Sequence, residues 1–311
     1  MAKPIVPDNL TPGMRAGVAA GAIVDAKATE VAGQADLAMA GDVDGIHDMR
    51  VAMKRLREAV RLFRRLMPRK QRAQVLGLAE GFNDALGRVR ERDVLIADAR
   101  WVADRVEDAE TVVGVLLDVW GEERSRGQTD IVDTWDRMIG RDRFFQRLRR
   151  LARDTKKRKR KLNAVRLEQF AYYAVTARME RALRRLEEVR APGKEGAEGQ
   201  PDPAAVHRLR IDVKRLKYTM EPFLTVLPAT TEPYRVVAAL QETLGLAHDF
   251  DVLQAAVTAY FDNTGLASTE PAKAVLEAIG ERRGQLYAGA SQQMVALGDE
   301  DWRGRLLDGL D

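Results

Sequence analysis

Three features of this 311-residue chain predict an all-α fold. Apolar residues recur at helical spacing almost throughout, helix-favouring Ala, Leu, Arg, Glu and Val dominate, and Gly/Pro punctuation is short. In addition, two blocks of sequence recur about 160 residues apart and in the same order. That ordered recurrence predicts an internal duplication of a unit of about 150 residues.

Taken in order, the periodicity predicts helices near 11–39, 44–67, 69–87, 91–106, 110–139 and 142–190, the last broken once. The stretch 191–203, rich in Gly, Pro and Glu, reads as a loop between two helices. Further helices follow near 203–227, 231–247, 249–262, 270–297 and 301–309. Asp44 is the expected cap of the second helix, and Asp202 followed by Pro203 starts its counterpart. Gly87 and Gly245 read as C-terminal caps that separate successive helices. The repeats then span about 9–160 and 161–305, each long enough to bury its own core.

Cysteine is absent, which excludes a disulfide framework, thiol catalysis and thiolate metal sites. The N-terminus has the look of a leader, but Asp25, Lys27 and Glu30 interrupt its apolar stretch. It reads as a first amphipathic helix. No apolar run approaches the ~18 residues of a membrane span, so a cytoplasmic protein without membrane contact is expected.

The net charge is only +4, yet the charge is segregated. Residues 1–46 hold three Lys/Arg, 47–72 hold ten, and 141–161 hold twelve against the two acids Asp142 and Asp154. Clusters of one sign attract polyanions even when the whole molecule is nearly neutral.

The segment His47-Asp48-Met49-Arg50-Val51-Ala52-Met53-Lys54-Arg55-Leu56-Arg57 recurs as His207-Arg208-Leu209-Arg210-Ile211-Asp212-Val213-Lys214-Arg215-Leu216-Lys217. Downstream, Leu86-Gly87-Arg88-Val89-Arg90-Glu91-Arg92-Asp93 recurs as Leu244-Gly245-Leu246-Ala247-His248-Asp249-Phe250-Asp251. A weaker echo relates Arg126-Gly127-Gln128 to Arg283-Gly284-Gln285. All three histidines of the chain, His47, His207 and His248, fall inside the two stronger blocks.

On a helix, spacings of three, four and seven place His47, Arg50, Lys54, Arg57, Arg61 and Arg65 on one stripe. Val51, Ala52, Leu56, Ala59, Leu62, Phe63 and Leu66 form the opposite, core-facing side, and only Glu58 breaks the cationic face. A solvated helix face normally mixes signs at i,i+4, whereas stacked like charges repel. The pattern makes better sense if an anion neutralises it. The second copy presents His207, Arg210, Lys214 and Lys217, with Tyr218 beside them and Leu209, Val213, Leu216 and Met220 behind. Glu221 and Pro222 end that run.

Arg90 and His248 occupy equivalent places. Both residue types donate hydrogen bonds to phosphate, but Arg cannot ligate a metal. Asp93 and Asp251 are expected to cap or to orient Arg90, Arg92 or a motif lysine. The tract 141–161 reads as a basic helix extending the same positive surface, with a disordered nucleic-acid arm at Lys156–Lys161 as the alternative. No phosphate-cradling glycine loop, His-Glu-x-x-His or carboxylate cluster for Mg²⁺ is present. No cofactor, no metal and no catalytic residue is therefore expected.

The paired His-x-x-Arg-x-x-x-Lys-Arg-Leu-Arg/Lys blocks, each followed by Leu-Gly-x-x-Arg/His-Asp/Glu-x-Asp-Val, resemble the CHAD family, the conserved-histidine α-helical domain, over about residues 9–305. The resemblance implies two helical bundles related by a pseudo-twofold axis, with the basic helices lining a central groove or pore. It also implies binding of inorganic polyphosphate and association with polyphosphate granules; with the absence of catalytic motifs the expected function is non-catalytic binding, and other polyanions are further candidate ligands. Carried over by position, the implied site is His47, Arg50, Lys54, Arg57 and Arg90 in the first copy, and His207, Arg210, Lys214, Lys217 and His248 in the second; the helical stripe adds Arg61. His248 stands where the family has Arg, and Glu91 where it has Asp. The competing readings are an RNA-binding helical module, an accessory factor of polyphosphate metabolism, and a metal hydrolase built on His47 and His207.

Overall fold

The computed structural model describes residues 4–191 and 202–310, so most of the loop expected at 191–203 lies outside the described residues. Among the described residues the chain is helical throughout, with one isolated bridge between Arg15 and Arg166. Its helices are α1 (Ala16–Gly33), α2 (Ala35–Met39), α3 (Val43–Leu62), α4 (Arg69–Ala103), α5 (Glu110–Ile139), α6 (Phe144–Lys157), α7 (Lys161–Ala164), α8 (Leu167–Arg190), α9 (Pro203–Met220), α10 (Thr231–Thr264), α11 (Glu270–Leu297) and α12 (Glu300–Asp308).

Several boundaries differ from the sequence reading. The first helix breaks at Gln34 into α1 and α2, and the cap of α3 is Asp42, which accepts from the Gly45 amide at 2.6 Å; Asp44 lies in the first turn. The span 142–190 breaks twice, at Arg158–Arg160 and again before Leu167. The helix begun by Asp202 and Pro203 stops at Met220, where Glu221–Phe223 tightens into a 3₁₀ turn.

The largest correction concerns Gly87 and Gly245, which cap nothing. Both lie inside single long helices, α4 and α10. At 1.5 Å per residue, α4 with its 35 residues is about 52 Å long. It stays continuous because its apolar residues keep helical spacing past the glycine: Phe82, Leu86 and Val89 before it turns into a second cluster with Leu95, Ala99 and Val102. Gly87 is present for space. A Cβ there would lie 2.6 Å from Arg50 Nη1.

The two apolar clusters do not divide the chain by repeat. The larger takes α1, α3, the first half of α4, the end of α5, α6, α8, α9, the start of α10, the end of α11 and α12. The smaller joins the far ends of α4 and α10 to α5 and α11. Phe63 after α3 stacks on Phe170 of α8 at 5.0 Å and meets Phe223 edge-on at 6.2 Å, so aromatic packing also crosses between halves.

A buried ionic network crosses in the same place. Lys27 and Glu30 of α1, Arg55 of α3 and Glu221 at the end of α9 are each less than 8% exposed. Glu30 pairs with Lys27 and Arg55 at 2.8 Å each, and Arg55 Nε meets Glu221 at 2.7 Å. Glu221, which closes the second cationic run in the sequence, therefore serves as a counter-ion to the first.

Candidate functional site

Four helices close a ring: α3 packs on α4, α4 on α10, α10 on α9, and α9 on α3. The apolar sides of the motif helices point away from this ring. Val51, Ala52, Leu56 and Ala59 are buried on α3, with Phe63 and Leu66 in the turn after it, and Leu209, Val213, Leu216 and Met220 are buried on α9. Helical period then turns the cationic stripes toward one shared space.

Within it, Lys54 lies in the field of Arg50, Lys214 and Arg210, and Asp249 is the acid that acts on it. His47 lies beside Arg90 and Lys54. The His207 and His248 rings are 5.8 Å apart between centroids. Each motif histidine thus sits with the Leu-Gly-block residue of its own copy, Arg90 for His47 and His248 for His207. The other charge relationship repeats as well: Glu91 acts on Arg50, and Asp249 in the equivalent place acts on Arg210.

The cations at the centre are poorly compensated. Among the described residues, Arg50, Lys54, Arg90, Arg210 and Lys214 have no carboxylate within 4.0 Å. Arg50 Nη1 donates to the Asn83 carbonyl at 3.0 Å, and Arg210 Nε is buried with no hydrogen-bond partner. Burial first, then neighbouring cations, pushes the Lys54 ammonium down to about 7. Burial likewise holds Arg50, Arg210 and Lys214 below their ordinary values. His47 and His248 are also lowered, by burial and then by Arg90 and Arg210 respectively. A bound anion would reverse the sign of these local fields.

The remaining expected residues lie further along the stripes and are already occupied. Arg61 pairs with Glu58 and with Glu80 of α4 at 2.6 Å each, and Arg57 lies 3.8 Å from Glu80. Lys217 donates to Gln241 at 2.7 Å. Tyr218 is half-buried near Glu221 and Arg55, and burial raises its hydroxyl to about 12.

Asp93 and Asp251 do form ion pairs, but with partners other than those expected. Asp93 accepts from Arg124 Nε at 2.7 Å, and Arg124 also donates to the Gly41 carbonyl at 2.6 Å. Asp251 accepts from Arg283 Nε at 2.8 Å and from the Tyr287 hydroxyl at 2.6 Å. The structural counterpart of Arg283 is therefore Arg124. Arg126, aligned with it by the weak echo, is an exposed residue paired with Glu122.

Two acids enter the site besides the expected residues: Asp249 belongs to the repeated Leu-Gly block, whereas Asp98 carried no sequence signal of membership. Asp98 of α4 and Asp249 of α10 come close where those helices cross, and burial together with the Asp249 charge raises Asp98 to about 6. Asp249 is raised too, chiefly by burial. No group of three His, Asp or Glu gathers as a metal-binding set among the described residues.

The tract 141–161 does not extend this cationic space. It is helical from Phe144 to Lys157 and again from Lys161, and α6 packs on α1, with Gln71 and Gln74 of α4 reaching Asp154 and Arg147. No helix among the described residues is long and apolar enough to cross a membrane.

A family model for the CHAD domain matches residues 22–258. No curated protein matches the chain. Among solved structures, the chain is similar to the crystal structure of the CHAD domain from the plant Ricinus communis, at 21% identity and a TM-score of 0.61, covering 99% of this chain and 95% of that one. It is also similar to PptA from Streptomyces chartreusis, at 15% identity and a TM-score of 0.57, covering 95% and 99%. Identities this low speak to the fold alone. The family model, however, spans well over half of the sequence and contains both copies of the histidine motif: this chain belongs to the CHAD domain family.

Proposed function

We propose that the ring of α3, α4, α9 and α10 binds inorganic polyphosphate without catalysis, and that the protein associates with polyphosphate granules. The observation that carries this reading is the set of central cations, Arg50, Lys54, Arg90, Arg210 and Lys214, drawn from both motif copies and left without close carboxylates among the described residues. Holding them together costs free energy that a bound polyanion returns. The binding of polyphosphate implied by the family resemblance supplies such a ligand, with about one charge per phosphate along a thin chain. Arg50 and Arg210 offer forked hydrogen bonds, and Lys54 and Lys214 offer point charges.

The reading is tested by the quadruple variant Arg50→Ala/Lys54→Ala/Arg210→Ala/Lys214→Ala, checked for helicity by circular dichroism. Binding of polyphosphate is expected to weaken by at least about a hundredfold, with a log–log salt slope smaller by roughly 3. Retained affinity in the helical variant would refute it. RNA at matched charge is expected to compete poorly, since single-strand binding relies on aromatic stacking platforms and none of the central residues is a Phe, Tyr or Trp.

A further inference from the structure

Outside the ring, α6 carries a second concentration of positive charge. Its buried side is Phe144, Leu148, Leu151, Ala152 and Thr155, packed on α1. Contact is close because Gly21 of α1 has no side chain; a Cβ there would lie 2.6 Å from the Ala152 carbonyl oxygen. With that side fixed, helical period turns Arg149, Arg150 and Arg153 outward, and all three are exposed.

These residues, with Lys156, Gln146 and Asp25, line a surface recess of about 640 Å³. A second recess of about 250 Å³ adjoins it through Lys156 and is edged by Arg15, Arg158, Lys159, Arg160 and Lys161. Nine cations line the pair against one acid, Asp25, and that acid is already engaged by Lys156 at 2.6 Å. Asp154 beside them is shared among Gln71, Arg153 and Arg150. Arg158 Nη1 is buried with no hydrogen-bond partner.

The surface is separate from the ring. Helix α6 lies on α1 and touches α4 at its start, where Gln71 and Gln74 meet Asp154 and Arg147, whereas Arg50 of the ring meets α4 further along, at Asn83 and Gly87. No aromatic side chain lines either recess, which removes the stacking platforms a single-stranded nucleic acid uses. The cations form the walls of connected hollows, a shape suited to an unbranched chain of phosphates.

We propose that this outer surface is a second attachment point for polyphosphate, so that one protein holds a long polymer at two places or joins two polymers. The inference rests on the polyphosphate reading of the ring, which supplies the first attachment point and the identity of the ligand. Linking two sites through one chain raises apparent affinity by effective concentration, without any new contact.

The test compares the full chain, the quadruple ring variant and an outer variant, Arg149→Ala/Arg150→Ala/Arg153→Ala, by titration calorimetry. Short polyphosphate of roughly ten phosphates, enough to cover one cluster of charges, is expected to bind at two per wild-type protein and one per protein for each variant. Polyphosphate of several hundred phosphates is expected to bind the wild type at least about tenfold more tightly than either variant. Unchanged stoichiometry and affinity in the outer variant would overturn the inference, as would complete loss of binding in the ring variant. An outer variant that binds nothing, beside a ring variant that binds like wild type, would refute the ring and with it the two-point attachment. Duplex RNA that outcompetes polyphosphate on the ring variant would overturn the choice of ligand.

Discussion

Lys54 of α3 lies in the field of Lys214 of α9, the residue at the same position of the other motif copy. Two segments of one chain about 160 residues apart thus place equivalent ammonium groups in one confined space. Burial, Arg50, Lys214 and Arg210, in that order, hold Lys54 near 7 instead of its ordinary 10.5.

This sets the pH dependence of polyanion binding. A bound anion raises the Lys54 pKa, so between about 7 and that raised value binding takes up a proton. Affinity then falls as pH rises above 7, by up to about tenfold per pH unit. Lys54→Arg stays charged and is expected to flatten the profile between pH 7 and 9 in a fluorescence-anisotropy titration. A wild-type profile already flat over that range would dismiss the role of Lys54. In the free protein, the depressed Lys54 favours unfolding at low pH, because the unfolded chain binds its proton more tightly. That cost is fully present below about 7 and fades as pH rises toward 10.5.

Asp98 and Asp249 give the opposite sign on substitution from every cation around them. Removing a like charge a few ångströms from a bound phosphate is worth about threefold to tenfold at an effective dielectric between protein surface and water. Asp249→Asn and Asp98→Asn are therefore expected to tighten polyphosphate binding at pH 7.5. The Asp98→Asn gain shrinks below about pH 6, where the wild-type carboxyl is itself protonated. Weaker binding in both variants would show that the acids serve to position Arg90 and Arg210.

Gly87 and Gly245 separate space from backbone freedom. In mid-helix, Gly→Ala gains up to about 1 kcal/mol of helix stability. Gly245→Ala has only Gln241 nearby, at 3.7 Å, and is expected to raise the melting temperature with binding unchanged. Gly87→Ala forces the Arg50 guanidinium off the Asn83 carbonyl. Several-fold weaker binding is expected from a protein that remains folded. Equal affinities for the two variants would show that the Arg50 position does not matter.

Arg55 and Arg215 share a motif position but not an environment. Arg55 is buried between Glu30 and Glu221, whereas Arg215 is exposed and 3.2 Å from Asp212. Arg55→Met leaves two buried carboxylates to the single cation Lys27, 2.8 Å from Glu30 but 4.0 Å from Glu221, and is expected to cost about 3–5 kcal/mol in denaturant unfolding. Arg215→Met is expected to cost less than ~1 kcal/mol. Similar losses for both would contradict the burial of the Arg55 network.

Period and repetition made the motif helices legible in detail. The apolar sides of α3 and α9 are those expected, and the stripes His47-Arg50-Lys54 and His207-Arg210-Lys214 lie on the faces expected. The Leu-Gly blocks misled because a glycine wanted for close approach and a glycine wanted for a helix end look the same in sequence. Telling them apart needs the position of Arg50, which arrives from a different helix. The weak echo at Arg126 failed for a related reason: a pairing partner is chosen by distance to Asp93, and Arg124 is the residue within 2.7 Å.

By itself the sequence determined that the chain is helical, that its cationic residues form stripes and that the motif occurs twice, because each of these follows from spacing along a single helix. Tertiary structure decided which cations remain uncompensated, that Arg57 and Arg61 meet Glu80, that Asp98 and Asp249 enter the cationic space, and that 141–161 faces away from it. Those outcomes depend on which helices cross. Coulomb interactions and desolvation act through space between residues far apart in the chain, at distances that no local pattern encodes.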